Sequence, residues 1–189
     1  MVSEDGSLVQ LKSGEWHEVK MVAVGEVESE WNARKSEVEV RTKNLSYFAS
    51  SHQIREFEKN ALPELFRRGA FSGADIVTVA DGASWITSFT DYHFPEATRI
   101  LDFYHATGYL AGAGKAIYGE RADEFKAWFE QSTHQLKHKP PQRTFGELAL
   151  LRNKADTDEK RDAIDAAHYY LKQREQTIDY PYFRARQLP

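Results

Sequence analysis

The sequence predicts an α/β fold: a mixed five-stranded sheet, three antiparallel strands then two parallel ones, with flanking helices and an all-helical C-terminal extension. Three observations carry this reading. Two-residue periodicity over the first fifty residues gives three strands with short links, and strands joined by short links can only be antiparallel. Two short β-branched runs follow, each entered through a helical stretch, which demands right-handed parallel crossovers. After Phe103 every periodic stretch has the helical spacing.

Val2 to Asp5, a Gly6-Ser7 break and Leu8 to Leu11 suit a first strand interrupted by a turn. In residues 15–27, Val19, Met21 and Ala23 make one face apolar while Val22 and Val24 do the same for the other, the mark of a strand covered on both sides. Residues 37–48 alternate Val38, Val40 and Thr42 with Glu37, Glu39 and Arg41, so this strand has one wet face and sits nearer the sheet edge. From Ser51, Ile54, Phe57, Ala61, Leu62, Leu65 and Phe66 recur at helical spacing until Gly69, with Pro63 as an expected kink. Residues 75–80 form a short buried-type strand ending on Asp81-Gly82. Residues 84–91 make a short helix with Trp85, Ile86 and Phe89 inward, and Thr98 to Leu101 is a second short strand, ending on Asp102. Helices are expected at 103–118, 121–137, 144–153 and 157–177, with a break at Pro140-Pro141.

The 189 residues, 41% of them hydrophobic, suffice for one sizeable core. The absence of cysteine excludes disulfides, thiolate zinc sites, iron–sulfur clusters and a cysteine nucleophile. The net charge of -4 excludes a uniformly basic nucleic-acid coat. The charge is nevertheless divided: residues 1–125 carry net -7 and residues 126–189 net +3. No apolar run reaches the ~18–20 residues that span a bilayer, and the N-terminus lacks a signal-peptide pattern. The expectation is a cytoplasmic protein without a membrane partner.

If the first and fourth strands are neighbours, Asp5 and Asp81 meet at the switch point where open α/β sheets place their sites. Two adjacent carboxylates repel unless a cation lies between them, and hard oxygen ligands prefer Mg²⁺ or Mn²⁺, metals that act on phosphate oxygens. The competing reading makes Asp5-Gly6 and Asp81-Gly82 simple turn dipeptides. Gly108 to Lys115 departs from a phosphate loop in spacing and in having Ala116 for Ser/Thr, and reads as a small-residue helix face that allows close packing. His134 and His138 have the i, i+4 spacing of a helical zinc pair, but Gln135 stands where a metalloprotease needs Glu, so a solvated helix end is the preferred reading. Residues 134–145 carry Lys137, Lys139 and Arg143 without an acid, a stretch suited to DNA phosphates or to an ordinary solvated loop.

The blocks VSEDGSLV, GEWHEVKMVAVGEV, VADGASWITSFTDYHFPEATRILDFYHA and DYPYFRARQLP, in that order, resemble the insertion-sequence transposases of the ISKra4 type, Mutator-like members of the DDE class. The resemblance runs over nearly the whole chain, and ADGASW and ILDFYHA are its most specific parts. It implies the ribonuclease-H-like fold, with a catalytic core at residues 1–120 and a helical extension at 121–189. It further implies catalysis and metal binding by Asp5 and Asp81 with Mg²⁺ or Mn²⁺, and DNA, both element ends and target, as partner. Asp102 and His105 match an Asp/Cys-x-x-His element that lines the active site; a helix N-cap and a first-turn residue are the structural alternative. Self-association is also implied. The family's third acid, a glutamate, follows the Y-P-x-F-R-A-x-x-L-P segment and is expected beyond Pro189, and Glu175 and Asp179 do not stand where the pattern puts it. Two expectations result: the catalytic part of a DNA-cleaving and strand-transferring enzyme, inactive as this fragment, or a non-catalytic relative that binds DNA or the full enzyme as a regulator.

Overall fold

The structure is a computed structural model and describes residues 1–34 and 36–189. The chain divides into two compact units, residues Met1–Ile100 with Gln187–Pro189, and residues Leu101–Arg186.

The first unit is built on a five-stranded mixed sheet. Its strands are β1 (Val2–Gln10), β2 (Trp16–Asn32), β3 (Glu37–Ser50), β4 (Val77–Ala80) and β5 (Thr98–Leu101), in the order β3-β2-β1-β4-β5. β1 and β3 both run antiparallel to β2, and β4 runs parallel to β1. Helix α1 (Ile54–Arg67) links β3 to β4, and α2 (Ser84–His93) links β4 to β5. The sequence-predicted turn at Gly6-Ser7 is not formed. β1 runs unbroken through both residues because β2 continues opposite them, pairing Gly6 with Lys20 and Ser7 with Val19, so the ladder overrides the local turn preference.

Pairing fixes the faces. Val2 lies opposite Val24, and Val22 lies opposite Glu4 on one side and Phe48 on the other. Val2, Val22 and Val24 therefore share one face and bury against Phe57, Ala61 and Leu65 of α1 and Phe89 of α2, at helical spacings as expected. Phe57 is the centre, with Phe48 at 5.7 Å, Trp85 edge-on at 5.8 Å and Phe89 at 6.3 Å between ring centroids. Pro63 sits inside α1. The β2–β3 ladder shifts register between Val24 and Glu26, where β3 holds one extra residue and Asn44 takes a left-handed φ of 51°. A side chain at Gly25 would collide there with Thr42 Cγ2 at 2.5 Å and Leu45 Cδ2 at 2.9 Å, so only glycine fits the bulge.

The second unit is entirely helical after Leu101: α3 (Phe103–Tyr118), α4 (Asp123–His138), α5 (Pro141–Arg152), α6 (Asp158–Gln173) and α7 (Tyr180–Ala185). α5 starts at Pro141 rather than 144, since proline is well suited to the first helical turn. α6 ends at Gln173 rather than 177, and a 3₁₀ turn over Glu175–Thr177 leads to α7, a helix the periodicity does not reveal. Leu110, Leu136, Leu148, Leu151, Ile164, Leu171 and Ile178 are fully buried. Gly114 performs the close-packing role read from residues 108–115: a Cβ there would meet the Trp128 ring at 2.5 Å, whereas Gly108 and Gly112 face open space. Among the described residues no helix is long and apolar enough to cross a membrane.

Candidate functional site

The β1–β4 pairing makes the strand that carries Asp5 the neighbour of the strand that runs into Asp81. Val2 lies opposite Thr78, and the Ser3 hydroxyl donates to the Val79 carbonyl at 2.7 Å. Three residues beyond that pair lie Asp5, within β1, and Asp81, the first residue after the end of β4. Alternation along β1 puts the Asp5 carboxylate on the face opposite Val2 and Glu4. Asp81 lies at the carboxyl end of β4, next to the crossover into α2.

The turn reading holds for one aspartate only. Asp5 is exposed within continuous β1, and its Oδ1 accepts from the Gly6 amide at 2.8 Å. Asp81 is half-buried, and its Oδ1 accepts from the Ala83 amide at 2.8 Å, closing a turn in which Gly82 has φ of +77°. That turn fixes the Asp81 side chain where the chain leaves the sheet and enters α2.

The donor chemistry suits a hard divalent cation: carboxylate oxygens from neighbouring strands, one of them open to solvent. Among the described residues no group of three or more His, Asp or Glu side chains gathers at one point.

Glu4 is the carboxylate that sequence reasoning missed. One residue before Asp5, it points to the opposite face and is only 1% exposed, with neither oxygen in hydrogen-bond geometry. Burial pushes its pKa up to about 7, against the opposing pull of the nearby Arg99 guanidinium and Thr90 hydroxyl. The available signal was parity: Val2 and Glu4 must share a face, and Val2 is core.

Asp102 and His105 stand one turn apart at the start of α3. Asp102 is the N-cap, its Oδ1 accepting from the His105 amide at 2.8 Å, as the structural alternative requires. The His105 ring faces Tyr109 at 5.6 Å and Tyr170 at 5.7 Å. Those two tyrosines stack at 3.7 Å, with the Arg174 guanidinium over the Tyr170 ring at 3.7 Å. The Tyr180 hydroxyl donates to the Leu101 carbonyl at 2.9 Å, and burial, with the Asp102 charge, pushes its pKa up.

Lys137, Lys139 and Arg143 are exposed, in the last turn of α4, at its C-cap and in the first turn of α5. The His134 and His138 rings lie 4.5 Å apart. The His138 pKa is held down by burial and by the surrounding cations, of which Arg184 on α7 acts most strongly. Arg184 thus joins a basic surface that sequence proximity could not reveal, because its closeness is made by tertiary packing.

No known family model matches the chain, and no curated protein matches it.

Proposed function

We propose that this chain is the catalytic part of a DNA strand-cleaving and strand-transferring enzyme of the DDE class, with a ribonuclease-H-like sheet, on its resemblance to the insertion-sequence transposases of the ISKra4 type. The observation that carries the reading is a sheet of order β3-β2-β1-β4-β5 in which Asp5 stands on β1 and Asp81 directly follows the parallel neighbour β4. The strand order and the two acids support the resemblance by independent routes.

Asp5 and Asp81 would hold Mg²⁺ or Mn²⁺, which when bound supplies Lewis acidity toward a phosphodiester and its attacking oxygen. In hydrolysis a water oxygen bonds to phosphorus as the P–O3′ bond breaks, leaving a 3′ hydroxyl. In transfer that hydroxyl attacks a target phosphate and displaces another 3′ oxygen. Asp81, fixed by the Ala83 amide, sets the direction of one carboxylate, while Asp5 keeps an open approach for DNA. The exposed Lys137, Lys139 and Arg143, with Arg184, suit phosphate contacts made by counterion release.

The test joins the chain to a downstream segment bearing a glutamate from a related element and measures Mg²⁺-dependent nicking of element-end DNA. Activity abolished by Asp5→Asn or Asp81→Asn supports the reading. Nicking untouched by both substitutions refutes it. The exposed basic surface of Lys137, Lys139, Arg143 and Arg184 also favours a second reading, a non-catalytic regulator that binds DNA or the complete enzyme. Salt-sensitive DNA binding that survives Asp5→Asn with Asp81→Asn, yet is lost on Lys137→Ala with Arg143→Ala, distinguishes it.

A further inference from the structure

β2 and β3 extend past the end of β1 as a two-stranded ribbon. β1 pairs with β2 only as far as Val24, whereas β2 and β3 stay paired to Asn32 and Glu37. The ribbon is sharply two-faced. On one side, Glu26, Glu28 and Glu30 lie opposite Lys43, Arg41 and Glu39 and form ion pairs, including Lys43 to Glu28 at 2.6 Å and Arg41 to Glu39 at 2.8 Å. On the other, Val27 lies opposite Thr42, Ser29 opposite Val40 and Trp31 opposite Val38, with no charge. This uncharged stripe continues past the bulge through Leu45 and Tyr47 on the same side of the sheet. α1 and α2 cannot cover it, because both pack on the opposite face with Val22, Val24 and Phe48. Trp31 is 64% exposed, Tyr47 59%, Val38 44% and Leu45 43%.

We infer that this face is an interface for a second copy of the same chain, two stripes packing sheet on sheet about a two-fold axis. The size is adequate. The ten or so side chains of this face, a Trp and a Tyr among them, present on the order of 500 to 600 Å² per copy, so two copies bury roughly 1,200 Å², the lower bound of stable specific interfaces. The charge pattern selects the occupant. A face without cations offers nothing to nucleic-acid phosphates, and the acidic residues behind it repel an anionic membrane. An uncharged face meets its own copy without like-charge repulsion, as a self-complementary interface requires. Edge-to-edge pairing through β3 is blocked by its charged residues and by the Asn44 bulge, which leaves the face rather than the edge as the contact.

The experiment is sedimentation equilibrium of the intact chain, from micromolar to submillimolar concentration and without DNA. It compares the wild type with Trp31→Glu and Tyr47→Glu, each checked for native circular dichroism and cooperative unfolding. Expected is a monomer–dimer equilibrium whose dissociation constant rises at least about tenfold in each variant. The chain has no cysteine, so a nitroxide on Ala33→Cys, at the ribbon tip beside the face, reports the contact directly. A single inter-copy distance, lost when Trp31→Glu is added, is expected. A wild type that stays monomeric, a dimer indifferent to both glutamates, or a dimer with no coupling between tip labels overturns the inference. So does a monomer whose tryptophan fluorescence responds to DNA and loses that response on Trp31→Phe.

Discussion

Glu4 and Asp5 are consecutive carboxylates on one strand, and the two sides of the sheet treat them in opposite ways. Glu4 enters the aromatic side, under α1 and α2, without hydrogen-bond partners and with its pKa raised to about 7. Asp5 enters the open side and stands in water, next to the strand that carries Asp81. Residue type therefore says little about an acid's work in a sheet, and strand parity says much more. The core side spends its side chains on cohesion. The open side holds Asp5 and the uncharged stripe of β2 and β3.

The contrast can be broken most severely at Phe57, which is fully buried and ringed by Phe48, Trp85 and Phe89. Phe57→Ala should cost about 4 kcal/mol in urea unfolding. Asp5→Asn, by contrast, should stay within about 0.5 kcal/mol of wild type, because it empties no core space.

Glu4→Gln should give the next largest effect, through pH. An acid whose folded pKa is raised binds more protons folded than unfolded between about pH 4.5 and 7, so its contribution to stability falls as pH rises through that window. The contribution is full below the unfolded pKa. The loss amounts to about 3 kcal/mol. Unfolding free energies at pH 5 and pH 8 should diverge between wild type and Glu4→Gln, the variant being relatively more stable at pH 8. Parallel pH profiles would mean that Glu4 is solvated in the native state.

A smaller effect, about 2 kcal/mol from overpacking, is expected for Gly25→Ala, where the new methyl meets Thr42 and Leu45 at the bulge. Tyr47→Ala, on the open side of the neighbouring strand, should sharpen the comparison by leaving monomer stability within about 0.5 kcal/mol.

Much of this arrangement was legible in the residues. Alternation at Val38, Val40 and Thr42 marked β3 as a strand with a wet side, and the two β-branched runs marked β4 and β5. Connection rules gave the antiparallel and parallel parts of the sheet, while the adjacency of the first and fourth strands was a condition that the structure supplies. What stayed hidden has one physical source, long-range packing. Gly6-Ser7 has turn chemistry, but the ladder with β2 straightens it. The extra residue at Asn44 becomes a bulge only because β2 passes beside it. α7 is too short for a periodic signal, and Arg184 reaches His138 only after α7 docks. Asp102 was readable in both its roles, and the capping hydrogen bond is the one its geometry displays.

The Tyr180 hydroxyl reaches back 79 residues to the Leu101 carbonyl. During synthesis the Leu101 carbonyl therefore precedes the hydroxyl that fastens it by 79 residues. The start of the helical unit gains this tie only once the last of its elements has been translated. A chain truncated before Tyr180 would leave the Leu101 carbonyl without that donor.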